Sequence, residues 1–105
     1  MWAFSCEPAT GIINTPTEFT VKTVGTPVLR FRQSGDSMRL PGGTKSLKKL
    51  FIDRKIPAAQ RGRIPVLADE HGIIGVLGIG VNLDRAAGEL PAVTVRFEQI
   101  ENYGG

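Results

Sequence analysis

Between Arg30 and Arg63 the chain carries ten basic side chains: Arg30, Arg32, Arg39, Lys45, Lys48, Lys49, Arg54, Lys55, Arg61 and Arg63. Only Asp36 and Asp53 oppose them, so the segment is +8. The rest of the chain has three basic and eight acidic residues and is −5. The chemistry open to such a segment is the binding of a polyanion. Each phosphate neutralised by Lys or Arg releases condensed counterions, and Arg can hold a phosphate through two parallel hydrogen bonds. An asymmetry of this kind points to nucleic acid or another acidic surface. The plain alternative is a solvated face with its lysines in water. Such faces ordinarily carry Glu–Lys pairs four residues apart, and residues 45–55 contain no glutamate.

Other chemistry is scarce. His71 and Cys6 are each the only residue of their type. A nucleophile–base dyad would need these two to meet in space, and His71 reads as a surface residue of a polar turn. Asp69, Glu70, His71 and Asp84 match none of the usual metal-ligand spacings. Ser34-Gly35-Asp36-Ser37 has the look of a phosphate-gripping Ser-Gly-Gly-x-Asp-Ser loop. It is one glycine short and follows Arg32-Gln33, not a buried strand, so it reads as a turn. Leu40-Pro41-Gly42-Gly43-Thr44-Lys45 leads into a helix whose first N–H groups could hold an anion, though the spacing is not that of a P-loop. Five Phe, one Trp and one Tyr offer little for base stacking, which favours backbone and shape recognition of structured RNA.

The elements that must position these residues are short. Glycine and proline supply 20 of the 105 residues, well above average usage, so many turns and short strands are expected. Residues 1–18 show no clear periodicity. Phe19–Val24 and Val28–Gln33 alternate and read as strands, with Leu29 and Phe31 toward a core and Arg30 and Arg32 away from it. Thr44–Lys55 reads as a helix capped by Thr44 or Ser46. Its stripe is Leu47, Leu50 and Phe51, and Lys45, Lys48, Lys49 and Lys55 fall opposite. Ile56-Pro57 stops it, and Pro57 can open one more turn through Arg61. Ile64–Ala68 and Ile73–Leu77 form a hairpin, the stretch from Gly78 to Val81 loosens, Arg85–Pro91 is a loop, and Val93–Glu98 is a last strand. The tail Tyr103–Gly105 is expected to fray. The expected fold is a β-rich α+β domain over residues 1–105, with one packed amphipathic helix.

A lone thiol permits no internal disulfide and fits a reducing compartment. No apolar run approaches the ~20 residues that span a bilayer. Met1–Thr10 has no basic start and carries Glu7 and Pro8, so no signal peptide is expected. The expected location is the cytoplasm, with no membrane partner.

One order of residues carries a family likeness. It runs Leu29-Arg30-Phe31-Arg32, Gly35-Asp36-Ser37, Pro41-Gly42-Gly43, Lys45-x-Leu47-Lys48-Lys49-Leu50-Phe51-Ile52-Asp53, Lys55-Ile56-Pro57, then Arg61-x-Arg63-x-Pro65-Val66-Leu67 and the hairpin before Gly78. This resembles the C-terminal domain of tRNA(Ile)-lysidine synthetase, over about Val28 to Val81. The likeness implies a small β-sandwich-like module, also seen in the phenylalanyl-tRNA synthetase β subunit. It implies a tRNA-contacting part that engages the acceptor-stem region of tRNA(Ile), beside a catalytic N-terminal domain. Enzymes of this family are ATP-dependent ligases that attach lysine to the wobble cytidine. Their ATP, with Mg, belongs to an N-terminal domain that this chain lacks, so no cofactor is expected in the chain itself and the chain alone is not expected to be an enzyme. The expected RNA-binding residues are Arg30, Arg32, Arg39, Lys45, Lys48, Lys49, Lys55, Arg61 and Arg63. The rival expectation is a non-catalytic protein-interaction or homodimer domain whose basic face meets an acidic protein. A small stand-alone enzyme is the third and weakest.

Overall fold

In the computed structural model residues 1–101 are described, and the tail Tyr103–Gly105 lies outside them. In chain order the first elements are the strands β1 (Trp2–Pro8), β2 (Glu18–Val21), β3 (Val28–Arg30), β4 (Ser37–Leu40) and β5 (Gly43–Ser46). The helices α1 (Leu47–Asp53) and α2 (Ala58–Arg61) follow, then the strands β6 (Val66–Asp69), β7 (Gly72–Val76), β8 (Gly80–Val81) and β9 (Val93–Gln99). The named strands pair antiparallel into a sheet of order β3-β6-β7-β8, a sheet of order β1-β9-β2, and the hairpin β4-β5. The expected β-rich architecture with a packed amphipathic helix is what the chain adopts.

The sheet β3-β6-β7-β8 is the middle layer, and its two faces explain the unbroken apolar runs of β6 and β7. Successive side chains of a strand point to opposite faces. Val66, Ala68, Ile73 and Val76 join Met38, Leu47, Leu50 and Phe51 in one core, under α1 and the β4-β5 hairpin. Leu67, Ile74 and Val81 join Phe19, Val21, Val95 and Phe97 in a second core, against β1-β9-β2. The rings of Phe19 and Phe97 meet edge to face at 5.9 Å. A strand buried on both faces has no polar side to alternate with. Full burial of a side chain such as Leu47 or Phe51 contributes roughly 1.5–3 kcal/mol, so α1 is held chiefly by its apolar stripe.

The register of β6 against β7 shifts between Leu67 and Ala68. This bulge lets Ile74 and Gly75 both lie toward the second core. A Cβ on Gly75 would run into the Phe19 ring and stand 2.8 Å from the Gly80 carbonyl oxygen. Asn82, though buried, is fully bonded: Nδ2 donates to the Ile73 carbonyl, and Oδ1 accepts from the N–H groups of Arg39 and Asp84. It thereby ties β4 to β7.

Several expectations need correction. The helix begins at Leu47, not Thr44, because residues 43–46 pair with β4. Pro41 and Gly42 make the tight turn between those strands, with Gly42 at φ 97° where glycine is favoured. The glycine-rich run therefore closes a hairpin and does not lead straight into a helix. Trp2–Pro8, which lacked a clear signal, is a seven-residue strand on β9, and Gly80–Val81 is a short strand on β7. The strands expected over Phe19–Val24 and Val28–Gln33 are shorter, and Phe31 is 56% exposed outside the core. Beyond Arg30 no partner strand continues among the described residues, so more than half of that side chain is left to solvent.

Candidate nucleic-acid interface

Helix α1 carries the densest group of free cations. Ser46 caps it: its Oγ accepts the Lys49 N–H at 3.2 Å, and its backbone is extended. Leu47, Leu50 and Phe51 are buried, which leaves Lys48, Lys49, Ile52 and Asp53 on the outer face. The helix ends in a Schellman motif, with the Lys55 N–H donating to the Ile52 carbonyl and the Ile56 N–H to that of Phe51. Ile56 packs on the first core beside Phe51, the apolar contact that accompanies this motif. Lys55 takes the left-handed position, with φ 56°. Lys48, Lys49, Arg54 and Lys55 are all exposed, and among the described residues none of them forms an ion pair. Arg54 was not among the expected contacts. Its membership of the same basic run was the available signal.

The other expected contacts fall into two groups. Arg32 (half-buried) and Arg63 (exposed) have no ion pair among the described residues. Arg30, Arg39, Lys45 and Arg61 are engaged within the fold. Arg30 grips Asp36 with both terminal nitrogens, at 2.8 and 3.1 Å, and also donates to the Phe31 carbonyl. Burial raises the Asp36 carboxyl, but hydrogen bonds from Arg30 and the Gln33 N–H, with the Arg30 charge, outweigh it and leave the group below its ordinary value. The Ser34–Ser37 turn thus has its carboxylate turned to Arg30. Arg39 lies 3.3 Å from Asp84, with both side chains exposed. Lys45 stands on β5 rather than on the helix and meets Asp53 at 2.9 Å. Arg61 directs its Nε to the Ile56 carbonyl at 2.8 Å, which pins α2 to the end of α1. The exposed pairs Arg39–Asp84 and Lys45–Asp53 are worth ~0–1 kcal/mol each, whereas Arg30–Asp36 is largely buried.

The acidic group around His71 is occupied by the fold. Asp69 accepts from Arg85 at 2.9 and 2.5 Å and from the N–H groups of Gly25 and His71. The Arg85 hydrogen bond, outweighing burial, holds the Asp69 carboxyl far below the carboxylate range. Glu70 accepts the Thr26 N–H and lies 3.5 Å from His71, while Asp84 faces Arg39. Among the described residues no three His, Cys, Asp or Glu side chains converge as metal ligands would. Cys6 is exposed on β1, and partial desolvation of its thiol pushes the pKa up. No described helix is long and apolar enough to cross a membrane.

This geometry has known counterparts. A family model described as the TilS substrate C-terminal domain matches residues 28–98. The chain belongs to this family. The match continues beyond Val81 through β9, so the last sheet strand is part of the family pattern. A tRNA(Ile)-lysidine synthase of Deinococcus radiodurans is 46% identical over 50 residues, 48% of this chain and 9% of that protein. A tRNA(Ile)-lysidine synthase of Clostridioides difficile is 47% identical over 55 residues, 52% of this chain and 12% of that protein. The chain spans about a tenth of the length of these curated relatives. A solved structure titled "Crystal structure of TILS C-terminal domain" superposes with a TM-score of 0.76 at 26% identity, over 96% of this chain and 86% of that one. The family fold therefore takes in most of residues 1–27 and 82–101 as well.

Proposed function

We propose that this chain is a tRNA-binding accessory domain of a tRNA(Ile)-lysidine synthetase, the ATP-dependent ligase that attaches lysine to the wobble cytidine of tRNA(Ile). The observation that carries the reading is the run Lys48, Lys49, Arg54 and Lys55. These are four exposed cations that form no ion pair among the described residues, on one short helix and its cap, in a chain of this family. Arg32 and Arg63 extend the surface, and Arg30, Arg39, Lys45 and Arg61 brace it. Their work is electrostatic positioning. Cations tracking the phosphates of a duplex such as the acceptor stem hold the tRNA in one orientation without reading its sequence. In this reading the chemistry, with ATP and Mg, belongs to a catalytic N-terminal domain as partner, and the place is the cytoplasm.

The test is a gel shift with tRNA(Ile) over a range of salt. Four phosphate contacts correspond to a slope of about −3 to −4 in log K against log salt concentration. Replacing Lys48→Glu and Lys49→Glu together should weaken binding at least tenfold and reduce the slope by about 2. Stability should stay within about 0.5 kcal/mol, because both side chains are exposed and unpaired. No binding of the parent chain even at low salt would instead favour a protein-interaction or dimerisation domain.

A further inference from the structure

Near the edge strand β3, Trp2, Leu29, Arg30, Phe31, Arg63 and Pro65 line an open hollow of about 320 Å³. That is the size of the smaller ligand pockets. Two aromatic rings at its rim are left to solvent: Phe31 is 56% exposed and Trp2 36% exposed. Among the described residues no acidic side chain lines it, and the Arg63 guanidinium has no ion pair. Arg30 is held at the wall by Asp36. Arg63 lies two residues past α2, so the hollow takes in the last cation of the basic segment.

We infer that this hollow takes an unpaired nucleotide adjoining an RNA duplex. The base stacks on the Phe31 and Trp2 rings, and its phosphate lies against Arg63. The inference rests on the RNA-binding reading above. Aromatic faces accept any base, and stacking on them is a principal source of single-strand affinity. The positive rim selects this occupant over a neutral apolar segment of protein.

Trp2 is the only tryptophan, so its fluorescence reports on the hollow directly. Two probes are compared with the full chain: a blunt RNA hairpin and the same hairpin with a four-nucleotide single-stranded 3′ overhang. The overhang should quench Trp2 and tighten binding about tenfold, the equivalent of ~1.4 kcal/mol. Phe31→Leu should abolish that gain and leave blunt-hairpin affinity unchanged, and Arg63→Gln should reduce the gain. Lys48→Glu with Lys49→Glu should weaken both probes equally. Equal affinities without quenching would overturn the inference while leaving RNA binding intact, and so would a quench that persists unchanged in Phe31→Leu and Arg63→Gln. Failure of both probes to bind would overturn the RNA-binding reading, and this one with it.

Discussion

Lys55 is the residue where structure and function pull apart. A side chain in the left-handed region costs about 1–2 kcal/mol relative to the ordinary helical conformation. Glycine escapes this at some cost in unfolded-state entropy. Lys55→Gly should therefore raise stability by about 0.5–1 kcal/mol in a urea melt. If the charge is used on RNA, the same variant should bind tRNA several-fold more weakly. A variant that is both less stable and unchanged in binding would show the position to be merely structural. Asp69 is the opposite case. Its carboxyl, held low by Arg85, takes up a proton more readily in the unfolded chain. The stabilisation is therefore complete above pH ~4, the ordinary aspartate range, and is lost as the pH falls below it. Thermal melts across pH 7 to 2 should show this loss. Asp69→Asn should cost about 2–3 kcal/mol at pH 7 by leaving the largely buried Arg85 unpaired, and should flatten the acid limb.

At the scale of the elements, Gly75 decides whether the two layers can meet. Gly75→Ala places a methyl group against Phe19 and the Gly80 carbonyl, in a bulge with no slack. It should lower stability by about 1–3 kcal/mol, read as a reduced denaturant midpoint with an unchanged slope. The β6-β7 hairpin and the apolar stripe of α1 were legible in the sequence because each carries its own local pattern. The β4-β5 hairpin was not, although Ser37-Met38-Arg39-Leu40 alternates and Pro41-Gly42 is a turn pair. Four residues of alternation are weaker than the helix signal that begins beside them. Likewise Phe4 and Cys6 alternate in phase with Phe97 and Val95, their partners on β9. That agreement shows only once the two ends of the chain are set side by side. For the candidate site, the charge run identified the segment. Which cations are free could not be read from it, because the pairs Arg30–Asp36, Arg39–Asp84 and Lys45–Asp53 depend on folded geometry. The alternation over Val28–Gln33 points Phe31 to the core because it continues past Arg30, the last residue that has a partner strand.

Over the whole molecule, three layers are built from antiparallel neighbours, and the outermost sheet is made from opposite ends of the sequence. Trp2 pairs with Gln99, and the Ile100 N–H donates to the Met1 carbonyl at 2.9 Å. A circular permutant that joins the ends through a short Gly-Ser linker and reopens at the exposed Gly88 should keep the fold, because backbone pairing at the new ends is little disturbed. Its chemical-shift map should match the parent except near the two junctions, and loss of β1–β9 cross-peaks would refute the expectation. The same closure sets an order of events for a chain leaving the ribosome. Within this domain Trp2–Pro8 is made before the other elements but has no partner until Val93–Gln99 follows, roughly 5–20 s later at ordinary synthesis rates. Until then the second core stands open along the flank where β9 will lie. A transcript cut short between Arg63 and β9 thus yields a chain that has made nearly all its cations and cannot yet hold its fold.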